Sequence, residues 1–402
     1  MKKHRTPVVL DFSKLLPGPF ATMVLADLGL RVIRVELPHW PDMLREIGPK
    51  IKGQGFCYWM ANRNKESLCL DFRKPEGRKA LLRMIGQADV VVEGFRPGLM
   101  DRLGLGAKEL RRRFPRLVYV SITGYGHEGP LADSAGHDLN FQALSGFLGG
   151  GDSNGAFSFP SVQLADLAGS LYAAAGALGA LRRRDMDGKG AHVRISLLDS
   201  IFSWQVLSLG QYLGSGKKAL PGGDWWSGSL PFYRLYETRD GRHMAVAAVE
   251  RQFAVDLLTR LGRPDLLERM PRDEADPANP VLIRELESAF RTKTLKEWTA
   301  VFAGKDVCVT TVLTPLEALE HPQLKGRGAI LRSGPAAPSL ASPLRTDGAP
   351  PRPRRAPPAL GKDNASVLRS FGFTGKEIRS LKTAGLLRRS GAGRGGLKPS
   401  FG

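Results

Sequence analysis

Residues 135–146, AGHDLNFQALSG, set a histidine and an aspartate side by side, after a glycine and ahead of an apolar run. Histidine titrates near neutrality and a carboxylate can take or return a proton, so the pair suits general acid–base work beside a surface that excludes water. A second candidate is Asp166, in QLADLAGSLYAAAG (163–176), where a short apolar run becomes a helix of small residues. An aspartate there can cap the helix. It also faces free backbone N–H groups, so the same place could supply a nucleophile or base together with stabilisation of developing negative charge. His137 and Asp166, separated in sequence, could face one substrate carbon from opposite sides.

Other motifs carry less. GYGHEG (124–129) matches G-x-G-x-x-G after a strand, but Pro130 and a Gly/Asp/Ser stretch follow where the dinucleotide fingerprint needs a helix. GGGDSNG (149–155) lacks the Lys-Ser/Thr ending of a phosphate-binding loop and reads as a mobile loop. Cys57, Cys69 and Cys308 stand in unrelated contexts without CxxC spacing, so neither a disulfide framework nor a metal site is expected, and small buried residues are the simpler reading.

The elements that must position His137 and Asp166 come from a chain of 402 residues, 42% hydrophobic, long enough for two domains. VVLDFSKLLPGPFATMVLADLGLRVIRVE reads as strand, helix and strand, with Pro19 in the first helical turn and Gly29 as the stop. An amphipathic helix over 76–88 leads into DVVVEGF (89–95), a short buried strand, and a further helix precedes LVYVSITG (117–124). This alternation predicts an α/β fold with a parallel sheet covered on both faces. Residues 232–250 read as a hairpin that opens a smaller α+β domain, with a loop before it at Gly223–Gly228. Beyond Leu324 the chain turns Pro-, Arg- and Ser-rich and extended, then forms a last helix over TGKEIRSLKTAGLL. The expected division is a large domain over 1–205, a small domain over 225–325, a return segment over 326–387 and a disordered basic tail over 388–402.

The net charge is +20, which invites a polyanionic partner. Basic residues are scattered, however, and no zinc finger, helix-turn-helix or RNP pattern accompanies them, so nucleic acid is not expected and a phosphate-bearing small ligand is. LAGSLYAAAGALGAL (167–181) is uncharged but falls short of the roughly 20 residues that span a bilayer, so a buried helix and no membrane association are expected. Charges and Pro17 soon after the N-terminus do not suit a secretory signal there, so a cytoplasmic protein is expected.

LLPGPFATMVLADLGLRVIRVE, NRNKESLCLDFRKPEG, VVEGFRPGLMDRLGLG, SITGYGHEGPLADSAGHDLNFQALSG, LADLAGSLYAAAG and PFYRLYETRDGRHMAVAAVERQF together resemble the family III CoA-transferases and α-methylacyl-CoA racemases, the CaiB/BaiF-like family, over about residues 7–387. The resemblance implies a Rossmann-like large domain, a small inserted domain and a homodimer of interlocked chains. It implies no prosthetic group and no metal, with coenzyme A entering as part of an acyl-CoA substrate. Asp166 matches the aspartate that is the nucleophile of the transferases and a proton carrier of the racemases. His137 matches the second proton carrier of the racemases, and Glu250, in AVAAVERQF, the glutamate that orients it. The chain departs from the usual racemase pattern at Leu37 and Arg251, where arginine and proline are common. Coenzyme A contacts are implied at Leu16, Leu70, Asp71, Arg73, Phe95, Arg96 and Arg102, the last two as phosphate clamps. The expected activity is racemisation of a 2-methylacyl-CoA by two-base α-proton exchange, the backbone N–H of Asp166 helping to bind the enolate oxygen and Asp138 supporting the loop. The alternative is an acyl-CoA:carboxylate CoA-transferase with Asp166 as nucleophile.

Overall fold

Val8–Asp11 (β1) is apolar until its last residue and wholly buried, as expected of a strand covered on both faces. The computed structural model describes residues 5–151, 159–216, 225–270, 276, 278–331, 339–348 and 353–388. The chain divides into two units: Met1–Gln142 with Val162–Ile201 and Gln323–Gly402, and Ala143–Ser161 with Phe202–Pro322. Most of the glycine-rich loop expected at 149–155, part of the loop at 223–228, and the basic tail beyond Arg388 lie outside the described residues.

In the first unit β1 is joined by Arg31–Glu36 (β2), Lys65–Cys69 (β3), Val90–Glu93 (β4), Val118–Thr123 (β5) and His192–Ser196 (β6). They form one six-stranded sheet in the order β3-β2-β1-β4-β5-β6, every neighbouring pair parallel. The order reverses direction between β1 and β4, a switch point whose carboxyl side leaves a crevice for ligands.

Side chains alternate across the sheet and build a core on each face. Leu10, Ile33, Leu68, Val91 and Tyr119 pack beneath helix α2 (Pro75–Ile85) and residues Val367, Leu368 and Leu381 of the returning C-terminal segment. Val9, Val32, Val92, Val118 and Val120 pack on the other face with α1 (Pro17–Asp27) and a long helix, Leu164–Asp187. The apolar run at 167–181 belongs to this helix, which is longer than the run. Its length and composition would suffice to cross a membrane, yet half of its apolar window is buried here. Its glycines allow close approach, since a Cβ on Gly169 would fall 2.3 Å from Leu197 Cδ2 and one on Gly176 2.7 Å from Val193 Cγ1.

Charged residues inside the strands form a buried network. Arg34 on β2, fully buried, reaches Asp11 at 3.2 Å, Asp42 at 2.5 Å and Glu36 at 3.7 Å. Lys65 on β3 reaches Asp11 at 3.1 Å and also Asn62 and Thr22. Asp11 is held down to about 2: burial opposes ionisation, but Lys65, Arg34 and two hydroxyl donors outweigh it. Replacing Arg34 with Met would leave three buried carboxylates without their common cation. We expect this to cost about 3 to 5 kcal/mol of folding stability in urea denaturation.

The second unit is built on Arg234–Glu237 (β7), His243–Val246 (β8) and Val309–Thr311 (β9), an antiparallel sheet in the order β9-β8-β7. Tyr236, Leu257, Phe290 and Trp298 form its core, with Trp298 Nε1 donating to Phe290 O at 2.7 Å. Cys308 in this unit is exposed rather than buried, at φ +52°, while Cys69 is buried and Cys57 half-buried.

Candidate active site

A cavity of about 320 Å³ opens at the carboxyl ends of β1, β4 and β5, across the switch point. All of its lining belongs to the first unit, and it includes Lys14, Phe95, Arg96, Phe141, His137 and Asp166.

Its first wall is the turn after β1. Asp11 at the strand end takes the Ser13 N–H at 3.0 Å and the Ser13 hydroxyl, while Arg34 Nη2 donates to Ser13 O at 2.9 Å. Gly18 is required where α1 begins, since a Cβ there would stand 2.1 Å from Ser13 Cβ. The buried network therefore fixes Lys14 and Leu15, the latter in the left-handed region at φ +63°. Lys14 Nζ donates to Trp40 O at 2.6 Å and lies 3.2 Å from the Trp40 ring centroid. Burial pushes its amine down to about 7, against the pull of Asp42 and Glu36. Trp40 in turn stacks on Phe95, with ring centroids 5.9 Å apart.

The opposite wall is the segment after β5. A Cβ on Gly136 would stand 2.7 Å from Tyr125 Oη and 2.8 Å from Phe141 Cε1, so glycine alone lets the chain reach His137 beside this aromatic pair. His137 directly precedes helix α3 (Asp138–Leu144), and its main chain is locked by Asn140. Its N–H donates to Asn140 Oδ1 at 3.0 Å and its carbonyl accepts the Asn140 N–H at 2.8 Å. The imidazole is exposed at the cavity's edge.

Asp166 lies in the first turn of α4 (Leu164–Asp187), whose N-cap is Gln163. It is not the cap itself. Its N–H donates to Asp138 Oδ1 at 3.0 Å, and the other Asp138 oxygen accepts from Gln142 Nε2. Asp138 thus joins the starts of α3 and α4, and it occupies the Asp166 N–H that sequence reasoning had offered to an enolate oxygen. Burial, and then the charge of Asp138, push the Asp166 carboxyl up to about 7.

Of the residues expected to meet coenzyme A, Phe95 and Arg96 line this cavity. Arg102 is exposed on the short turn Leu99–Arg102, its guanidinium close over Gly98. Leu70 is fully buried in the core, and its N–H is given to Glu36 O. Leu16 is half-buried at the N-cap of α1, and its neighbours Leu15 and Pro17 line the cavity instead. Asp71 is buried and holds Arg73, its two oxygens each 3.0 Å from that guanidinium. Glu250 belongs to the second unit, where it is exposed, immediately precedes helix Arg251–Arg260 and faces the Cys308 thiol, which it pushes up after burial. Sequence reasoning missed Lys14 and Glu93. Their signal was a charge set at or just past a strand end, next to a glycine- or proline-containing turn.

The family model for CoA-transferase family III matches residues 7–364. The human α-methylacyl-CoA racemase is 35% identical over 384 residues, covering 93% of this chain and 95% of that protein. The acetyl-CoA:oxalate CoA-transferase of Acetobacter aceti is 31% identical over 376 residues, 90% of this chain and 94% of that protein. A crystal structure of a CAIB/BAIF family protein from Brucella suis superposes with a TM-score of 0.79 at 29% identity, over 91% of this chain and 98% of that one. With its six-stranded parallel sheet and its cavity at the switch point, the chain belongs to CoA-transferase family III.

Proposed function

We propose that this enzyme interconverts the epimers of a 2-methylacyl-CoA, with His137 and Asp166 exchanging the proton on the carbon α to the thioester. The observation that carries the reading is that both side chains line one cavity, with the Asp166 carboxyl tuned to about 7. A proton carrier works best when its pKa lies near the working pH, so that it can both remove and return a proton. The transferase alternative would use the same carboxyl in its ionised form as nucleophile, so His137 on the cavity's edge, which that chemistry does not need, is what favours the racemase reading.

In this reading one group removes the α-proton while the other, protonated, delivers to the opposite face. Phe141, packed edge-on against Tyr125, gives that edge of the cavity an apolar wall, which strengthens any donor acting on the enolate oxygen. Arg96 supplies a cationic group for the phosphates of coenzyme A. Glu250 enters as the partner of His137 on the resemblance alone, as does an interlocked homodimer, which light scattering would register as twice the chain mass.

The test is incubation of the protein with one epimer of a 2-methylacyl-CoA in D₂O, following the α-proton by NMR, then addition of a free carboxylic acid. Exchange with inversion and no new thioester supports the racemase. Acyl transfer without α-exchange would hand the chemistry to Asp166 as nucleophile, and the human and Acetobacter relatives bear names of the two kinds.

A further inference from the structure

Beside the main cavity lies a second one of about 180 Å³, and the two share Arg96 and Pro97. Glu93, the last residue of β4, lines the second cavity. Its Oε2 accepts the Phe95 N–H at 2.9 Å, directly tying down the turn that carries Phe95 and Arg96. Glu93 is paired in register with Ser121 on β5, and the Ser121 hydroxyl is a second hydrogen-bond partner of its carboxylate. Ser121 Oγ is in turn 2.7 Å from His192 Nε2 on β6. Three neighbouring parallel strands therefore carry a continuous polar chain, from the cavity's Phe95–Arg96 turn to the edge of the sheet.

We propose that Glu93 is a positioning residue for coenzyme A recognition: its ionised carboxylate, braced by Ser121 and His192, holds the Phe95 N–H and so sets Arg96 toward the ligand's phosphates. This rests on the acyl-CoA reading above. No step of the proposed proton exchange uses Glu93, yet it is buried, and an unneeded buried carboxylate is costly.

The surroundings make its charge responsive to pH. Burial pushes Glu93 up to about 7, with Asp101 adding to the rise and the Phe95 and Ser121 donors opposing it. Tyr119 and the bracing His192 face it from β5 and β6. His192 is pulled down to about 4 by burial and then by Arg194, His127 and Arg111, so it stays neutral in this window. His127, Lys108 and Arg194 complete the charged or titratable lining of the second cavity. As pH rises through about 7, Glu93 ionises and becomes the stronger acceptor, so the affinity for coenzyme A rises with it.

The experiment measures binding of coenzyme A by calorimetry between pH 6 and 8, with KM and kcat for the acyl-CoA alongside. Glu93→Leu is expected to raise Kd and KM about tenfold while kcat stays within about twofold, the loss of one hydrogen bond to a charged acceptor. Glu93→Gln keeps a neutral acceptor for Phe95 and should show the affinity of the wild type at low pH, above that of Glu93→Leu, without the rise as pH increases. The 3′-phosphate of coenzyme A also titrates in this range, so the readout is the difference in slope between wild type and Glu93→Gln. Ser121→Ala, which only removes a hydroxyl, should move the midpoint to higher pH. Equal impairment in Glu93→Leu and Glu93→Gln, matching slopes in wild type and Glu93→Gln, or an unmoved midpoint in Ser121→Ala would overturn the proposal. Failure of the wild type to bind coenzyme A would instead overturn the functional reading beneath it.

Discussion

Asp166→Asn is expected to lower kcat by about two to four orders of magnitude while leaving the protein folded, and to make it more stable than the wild type above pH 7. The kinetic part follows because the amide can neither take nor return a proton, and positioned acid–base groups contribute about 10²–10⁴-fold. It holds for either chemistry, since asparagine is no better as a nucleophile. The stability part follows from linkage. The carboxyl is raised from 3.8 to about 7 in the folded chain, so the folded state holds this proton more tightly than the unfolded state. The contribution is fully present below the unfolded value, is lost as pH rises between about 4 and 7, and stays lost above that. Asparagine removes the penalty, and the hydrogen bond from its N–H to Asp138 is unaffected. Urea denaturation at pH 5 and pH 8 checks this: the wild type should lose stability between the two pH values by more than Asp166→Asn does. An equal change in both would show that Asp166 is not desolvated in solution.

His137→Ala separates the two chemistries. Under the two-base reading, inversion should fall by about 10²–10⁴-fold. Asp166 would still remove and return the proton on its own face, so one epimer should continue to exchange its α-proton with D₂O without inverting, and the other should become inert. Acyl transfer to a carboxylate, by contrast, needs no group at position 137 and should stay within about tenfold. Full inversion activity in His137→Ala would sink the racemase assignment. Because the imidazole is exposed and its main chain is held by Asn140, the substitution should leave the melting temperature nearly unchanged.

The alternation of strands and helices from Val8 to Thr123 was legible because each element has its own period: VVLD and VYVSIT are uniformly apolar-lined, while EGRKALLRMI is amphipathic at helical spacing. Gly29 stops α1 at φ +103°, as its position suggested. His137 and Asp166 were legible by residue type, and their meeting at one cavity was offered from the residues and strengthened by the resemblance, since distant segments carry them and a stretch of the second unit lies between. What the sequence hid is non-local. Arg34 and Lys65 are fully buried against Asp11, a contact that depends on strand order and that no local pattern announces. The burial of Leu70 is hidden in the same way: NRNKESLCLDF does not reveal that residues 386–387 return to cover it. DVVVEGF was legible as a buried strand, but the register that sets Glu93 opposite Ser121 was not.

The outer edge of the sheet has a consequence for how the protein is made. The Ser67 and Cys69 N–H groups of β3 donate to Asp363 Oδ2 and Asn364 Oδ1, and the Asp363 N–H donates back to Ser67 O. On the ribosome, β3 emerges 296 residues before Asp363, roughly 15 to 60 s at ordinary elongation rates. Throughout that interval the nascent sheet presents an uncovered β-edge, the kind of surface on which other chains template their own strands. Premature termination anywhere before Asp363 would make that exposure permanent, so truncated products should be insoluble even when every residue of the cavity has been synthesised.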